Sequence, residues 1–148
     1  MILFKMRPPM YTNILYATDL LNEHNHLTEK AAEIAKLFKS KLYLLHVIEL
    51  PASVQLAQGL GFTELANPSK EDARTVLSLM SETLNIPANR QFVEIGSVKE
   101  HIFTKAKELN CQLIIIGSHS TSGFQSFLGS TAQATVNHAP CDVLTLRV

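Results

Sequence analysis

Short apolar runs and stripes of helical spacing alternate along the chain. The runs are rich in leucine, β-branched and aromatic residues, which predicts five strands: Asn13–Asp19, Lys41–Ile48, Gln91–Ile95, Cys111–Ile116 and Asp142–Val148. Between them, apolar residues recur every three to four positions, which predicts helices whose stripes start at Leu27, Ala73 and Val98, with a shorter candidate over Ser130–His138. This alternation favours an α/β fold with a mostly parallel sheet and helices on both faces.

Two segments show neither spacing. Residues 51–69 contain two glycines and two prolines, which predicts a long loop with at most one helical turn, and Ser69 is a candidate N-cap for the next helix. The first nine residues contain two prolines and precede the first strand. We therefore expect a poorly ordered extension over 1–9, with Met10 as a candidate start, and a single domain over 10–148.

Composition narrows the classes of partner. The chain has 148 residues, of which 46% are hydrophobic and 18% charged, so one globular domain with a sizeable core is expected. Thirteen basic residues balance thirteen acidic ones, giving a formal net charge of zero. Binding to a phosphate backbone or an anionic membrane normally needs a basic surface, so neither nucleic acid nor membrane is an expected partner.

The cysteines and the hydropathy bear on the compartment. Cys111 and Cys141 are far apart, without a CxxC pair or a histidine cluster, so we expect small hydrophobic residues rather than a disulfide framework or a zinc site. No apolar run approaches the about 20 residues that a membrane helix needs, and the first residues lack the apolar core of a signal peptide. A cytoplasmic protein is expected.

The segment Gly117–Thr131 is the most informative about chemistry. It joins a strand end, a loop of small residues and a helix start. Glycines let the backbone approach a ligand, and the N–H groups at a helix start hold phosphate, so a nucleotide phosphate site is one interpretation. The other is that Gly117 ends a strand and Gly129-Ser130 caps a helix. His119 is equally compatible with a solvent-facing position and a phosphate neighbour.

Several known active-site motifs are missing. The sequence contains no GxxxxGK with a following Ser or Thr, no GxGxxG after a strand, no HExxH and no GxSxG. These absences remove the main support for Walker-type ATPase, dinucleotide-binding and hydrolase chemistry. His46 interrupts the apolar run of the second predicted strand, and we interpret it as a hydrogen-bonded core or edge histidine rather than a ligand.

The chain resembles the universal stress protein family over Met10–Val148. The resemblance rests on NILYATD at the first predicted strand, LLHVIE at the second, EIGS before the third helix and IIIGSH at the fourth strand. The stretch LGSTAQATVNHAPCDVLTLRV at the end is similar to the family's LGS…HAPCPVLVV ending and is the most specific part.

The resemblance implies a five-stranded parallel sheet of order 3-2-1-4-5, a homodimer that pairs through the Asp142–Val148 strand and, in many members, an ATP site. The family's G-x2-G-x9-G-S/T motif places its first glycine at Gly117 and its last pair at Gly129-Ser130. Asp19 matches an acidic residue near the nucleotide, facing ribose or base or acting through a divalent metal such as Mg²⁺, although it is also a candidate helix N-cap. Val47 matches a position whose backbone pairs with adenine. The implied nucleotide-binding set is Ala17, Thr18, Asp19, Val47, Gly117, Ser118, His119, Ser120, Gly129, Ser130 and Thr131.

The sequence departs from the family's nucleotide motif at two points, and three functions are therefore considered. Ser120 occupies the second glycine position, and the interval from Gly117 to Gly129 is one residue shorter than the motif requires. The retained glycines favour a dimer that binds ATP with Mg²⁺ as a stress-response sensor or regulatory module. The alternatives are a dimer of the universal stress protein A type, which binds no nucleotide and acts through an unidentified protein partner, and a slow ATPase with Asp19 as the nearest candidate base.

Overall fold

A computed structural model of the chain describes residues 9–20, 25–49, 52–61, 68–117 and 136–147. The strands are β1 (Asn13–Ala17), β2 (Lys41–Ile48), β3 (Gln91–Ile95), β4 (Leu113–Gly117) and β5 (Asp142–Leu146). The helices are α1 (Asn25–Leu37), α2 (Ala52–Gly59), α3 (Pro68–Glu82) and α4 (Val98–Glu108), and a short 3-10 helix, Ala88–Arg90, precedes β3. The predicted alternation of strands and helices is confirmed from β1 to β4, with two helices rather than one between β2 and β3.

All the strands form one parallel sheet in the order β3-β2-β1-β4-β5, as the resemblance implied. β1 lies at the centre, with Ala17 opposite Leu45 of β2 and Tyr16 opposite Ile115 of β4. Because the strands are parallel, their carboxyl ends meet at one edge of the sheet, where ligands bind in folds of this kind.

Two separate apolar clusters cover the two faces of the sheet. On one face, alternate residues of β1, β2 and β4 pack against α1 and α3, in a cluster that includes Ile14, Tyr16, Leu27, Leu44, Leu77 and Ile115. On the other face, the intervening residues pack against α4, in a cluster that includes Leu15, Leu45, Ile102, Ile114 and Ile116. Burial on both faces explains why these strands read as continuous apolar runs. The predicted helices on both faces are confirmed.

The prediction of a long loop over 51–69 is wrong for α2. Alanine, leucine and glutamine favour a helix over Ala52–Gly59, and the glycines end it: Gly59 is its last residue and Gly61 has a φ of +100°. The prediction of Ser69 as an N-cap is also wrong. α3 begins at Pro68, because proline suits the first position of a helix, and Ser69 follows inside it.

Other observed strand boundaries differ from the predicted ones by one or two residues. β1 ends at Ala17 rather than Asp19, β4 covers Leu113–Gly117 rather than 111–116, and β5 ends at Leu146. The 1–9 extension, apart from residue 9, and most of the helical candidate over 130–138 lie outside the described residues. None of the helices described is long and apolar enough to cross a membrane.

Both cysteines pack as small hydrophobic side chains, as expected. Cys111 is buried in the cluster beneath α4, and Cys141 is packed against the same cluster. Burial raises the pKa of the Cys111 thiol to about 12 and that of Cys141 to about 11. Both side chains are therefore neutral thiols at physiological pH, and neither has the thiolate character of a reactive cysteine.

The turn from β3 to α4 depends on a glycine. Gly96 has a φ of +142°, and a Cβ at this position would lie 2.9 Å from Nε2 of His101, a ring that is held by a hydrogen bond of 3.0 Å to the Ile95 carbonyl. Ser97 caps the helix by accepting a hydrogen bond from the Glu100 amide. A side chain at residue 96 would be strained and would also displace the imidazole.

The Gly96→Ala substitution should lower the free energy of unfolding by about 1–3 kcal/mol, because both the backbone conformation and the His101 ring oppose a Cβ. Urea unfolding followed by circular dichroism measures the change. Gly59→Ala is the matched control, because a Cβ there meets nothing within 4 Å. Equal stability of the two variants would contradict the conclusion that the turn from β3 to α4 requires a glycine at residue 96.

The buried phenol of Tyr16 predicts a loss of stability at alkaline pH. Burial raises the pKa of Tyr16 from 10 to about 12, so the unfolded chain ionises first and the folded state is stabilised fully below pH 10 and progressively less up to pH 12. A shift of this size corresponds to about 2–3 kcal/mol. Urea unfolding between pH 9 and pH 12 should show this loss of stability. The Tyr16→Phe variant should lack the part of the loss that comes from ionisation of Tyr16. Tyr43→Phe, on the opposite face, should retain it.

Candidate functional site

The candidate site lies at the carboxyl edge of the sheet, between β1 and β4. β1 is followed in sequence by α1 and then by β2 on one side, whereas β4 leads to β5 on the other side. The chain therefore leaves these two neighbouring strands in opposite directions, which opens a crevice between them. Thr18 and Asp19 follow β1, and Gly117 ends β4.

The chain turns sharply at Thr18–Leu20. The Thr18 amide still donates to the Leu45 carbonyl at 2.9 Å, which is the last backbone hydrogen bond between β1 and β2. The Leu20 amide then donates to the Thr18 hydroxyl at 3.1 Å, and Leu20 has a φ of +63°, in the left-handed region. Thr18 is buried, whereas Asp19 and Leu20 are half-buried.

Val47 presents its backbone rather than its side chain to the crevice. Its side chain is 5% exposed and lies in the cluster beneath α4. Leu45, two residues earlier, directs its carbonyl toward β1, and residues two apart in a strand point their backbone groups the same way. β1 has already ended opposite Leu45, so the N–H and C=O of Val47 face the space beyond it.

Gly117 has a packing role of its own. It is paired with Leu146 of β5, and a Cβ on it would lie 3.0 Å from Cδ1 of Leu27 in α1. The absence of a side chain therefore lets α1 pack closely over the end of β4. Ala17, on β1, is buried in the cluster of the other face.

The structure thus brings five of the predicted residues together at neighbouring strand ends: Ala17, Thr18, Asp19, Val47 and Gly117. The other six, Ser118, His119, Ser120, Gly129, Ser130 and Thr131, lie outside the described residues, so their roles stay predictions. Within the part of the chain that is described, no group of three or more His, Cys, Asp or Glu side chains could hold a metal ion.

His46, which the sequence did not assign to the crevice, contacts the turn after β1. Its Nδ1 lies 2.7 Å from the Thr18 carbonyl, which confirms the predicted hydrogen-bonded histidine. A carbonyl can only accept, so Nδ1 carries the proton and donates. Burial lowers the pKa of His46, and the Thr18 carbonyl and nearby Asp19 oppose this effect. The sequence signal that could have identified this contact is His46 itself, a polar residue in the otherwise apolar run of β2.

Comparison with known proteins agrees with this geometry. The model of the universal stress protein family matches residues 10–147. Universal stress protein A homolog 2 of Coxiella burnetii is 36% identical over 140 residues, covering 93% of this chain and 96% of that protein. Homolog 1 of the same bacterium is 32% identical over 147 residues, covering 92% and 96%.

Solved structures show the same architecture. The universal stress protein UspA from Lactobacillus plantarum is 27% identical, with a TM-score of 0.59, and the match covers 93% of this chain and 98% of that one. A universal stress protein solved in complex with cAMP has a TM-score of 0.63 at 15% identity, covering 93% and 97%. Together, the family model and the relatives in Coxiella burnetii show that this chain belongs to the universal stress protein family.

Proposed function

We propose that the protein is a cytoplasmic homodimer that binds ATP, with Mg²⁺, in the crevice between β1 and β4, and that the bound nucleotide sets its conformation or its choice of protein partner in a stress response. The observation that carries this proposal is the position of the Val47 backbone. Its N–H and C=O lie side by side beyond the end of β1, directed into the crevice.

A neighbouring N–H and C=O match the edge of adenine. Adenine presents an amino N–H donor beside a ring nitrogen acceptor, whereas guanine presents a carbonyl beside an N–H, which is the reverse order. A backbone pair held in a buried strand is fixed in direction, so it can select the base without a specific side chain. We therefore expect ATP to bind more tightly than GTP.

The remaining groups of the crevice suit the ribose and the phosphates. The Asp19 carboxylate would repel phosphate, so its place is at the ribose hydroxyls or at a phosphate-bound Mg²⁺. Gly117 precedes residues 118–131, where the sequence predicts a loop of small residues and a helix start that would supply N–H groups to phosphate. Mg²⁺ typically keeps several waters and binds through phosphates and one or two carboxylates, which fits a site with Asp19 as its described acidic residue.

Two further observations support the proposal. A protein of this fold has been solved in complex with cAMP, so the fold can accommodate an adenine nucleotide. The described cysteines are free thiols, which is the state that cytoplasmic glutathione and thioredoxin maintain.

The dimer in this proposal forms at the β5 edge of the sheet. β5 pairs with β4 on one side, and its other side ends the sheet. Val143 is half-buried and Leu144 is 36% exposed, so this edge carries apolar side chains. An unpaired apolar strand edge favours association, and a two-fold dimer would cover it with the same surface of a second copy.

The direct test is the nucleotide content of freshly purified protein, released by denaturation and resolved by ion-exchange chromatography, together with thermal unfolding in MgATP. Recovered ATP, or a midpoint that rises with MgATP concentration and less with MgGTP, supports the site. No nucleotide and no shift at millimolar MgATP would contradict it and favour a dimer that acts through protein contacts.

The Asp19→Asn variant should bind MgATP at least about tenfold more weakly, because hydrogen bonds to a charged group contribute about 1.5–3 kcal/mol. Isothermal titration calorimetry measures the affinity. Glu82→Gln is the control: this exposed carboxylate ends α3 at the opposite edge of the sheet, so its neutralisation should leave the affinity unchanged. Equal affinities for both variants would exclude Asp19 from the site.

The Leu144→Asp variant should shift the protein from dimer toward monomer, because it places a charge at the proposed two-fold interface. Sedimentation velocity over a range of protein concentrations measures the equilibrium. Leu79→Asp, at a side chain that is 62% exposed on α3, is the control and should leave the association state unchanged. A wild-type chain that stays monomeric at every concentration would overturn the dimer.

A further inference from the structure

The pairing of β1 with β2 ends because side chains take over two backbone hydrogen bonds. In the register of these parallel strands, the next two bonds would run from the Val47 amide to the Thr18 carbonyl and from the Leu20 amide to the Val47 carbonyl. The structure has neither among its described residues. The Thr18 carbonyl accepts from Nδ1 of His46 at 2.7 Å, and the Leu20 amide donates to the Thr18 hydroxyl at 3.1 Å.

Only these two backbone hydrogen bonds are replaced by bonds to side chains. The preceding bond, from the Thr18 amide to the Leu45 carbonyl, keeps an ordinary length of 2.9 Å, so β1 is in register up to this point. Thr18 is 2% exposed, and a buried carbonyl must have a partner. Without the imidazole, the register would offer it the Val47 amide.

We propose that His46 is the positioning residue of the crevice: by holding the Thr18 carbonyl, it ends the β1–β2 pairing and leaves the Val47 N–H free for a ligand. The Thr18 hydroxyl does the same for the Val47 carbonyl by binding the Leu20 amide. This inference rests on the proposed nucleotide site and names the side chains that keep its base-recognising pair open.

The geometry also explains why the two side chains act together. Leu20 has a φ of +63°, which turns the chain away from β2, and the bond from its amide to the Thr18 hydroxyl fixes this turn. The imidazole of His46 lies on the face of α1 and α3, on the side of Leu44 and Ile48, whereas the Val47 side chain lies on the other face. His46 and Thr18 therefore form a clamp at the end of β1, in which His46 binds the Thr18 carbonyl from one face of the sheet and Thr18 binds the Leu20 amide.

A test on nucleotide-free protein separates the clamp from simple packing. Amide hydrogen exchange by NMR should show that the Val47 amide exchanges at least about tenfold more slowly in His46→Leu than in the wild type. The reason is that the Val47 N–H gains the Thr18 carbonyl as a hydrogen-bond partner. His46→Asn, whose amide N–H can replace Nδ1–H, should restore wild-type exchange. Unchanged Val47 protection in His46→Leu would overturn the proposal.

A second measurement needs no variant. The ¹⁵N signals of the His46 ring in the wild-type protein at neutral pH should show a protonated Nδ1 and an unprotonated Nε2. The opposite tautomer would overturn the clamp even if His46→Leu failed to fold. Thr18→Val and Thr18→Ser form a matched pair that tests the Thr18 hydroxyl. Thr18→Ser keeps the bond to the Leu20 amide and should behave as wild type in both measurements, whereas Thr18→Val loses this bond and should not.

The ligand assay then tests the consequence for the site. By isothermal titration calorimetry, His46→Leu should bind MgATP at least about tenfold more weakly than wild type, and His46→Asn within about threefold. Equal affinity of His46→Leu and wild type would refute the role of the clamp in binding. If wild type itself does not bind MgATP, the proposed function fails, and the exchange and tautomer measurements still decide whether His46 holds the strand end open.

Discussion

β1 is paired with a strand on each side and covered by helices on both faces, and the crevice exists because this central strand stops before β2 does. β1 ends at Ala17 opposite Leu45, whereas β2 continues to Ile48. Every backbone group of a buried strand must find a partner. Ending one strand early therefore leaves its neighbour with a donor and an acceptor directed at the gap, and a ligand that offers the complementary pair can fill it.

Helix packing imposes a second constraint on the same crevice. Gly117 ends β4 where Leu27 of α1, which is 1% exposed, crosses above it, and a Cβ would lie 3.0 Å from that side chain. From the sequence alone, this glycine is compatible with a strand end and with part of a phosphate loop. The packing accounts for a glycine at this position, since a residue without a side chain lets α1 pack closely over the end of β4.

The strands were predictable because a run such as Leu113–Ile116 is stable only when both faces are covered, which fixes a parallel sheet with helices on each side. α2 was not, because its glycines were taken to prevent a helix although they lie at its end. The family resemblance indicated Asp19, Val47 and Gly117. The bond of His46 could not be predicted, because its partner carbonyl is 28 residues away on the neighbouring strand and is set by the register.

The register also connects the crevice to the edge of the sheet. Gly117, which precedes residues 118–131, is the last residue of β4 to pair with β5, opposite Leu146. A ligand held by residues 118–131, as proposed, would lie next to the end of β4, and β4 is paired with β5 along its whole length. If the protein dimerises through β5, as proposed, β5 is the one strand that lies between β4 and the second copy.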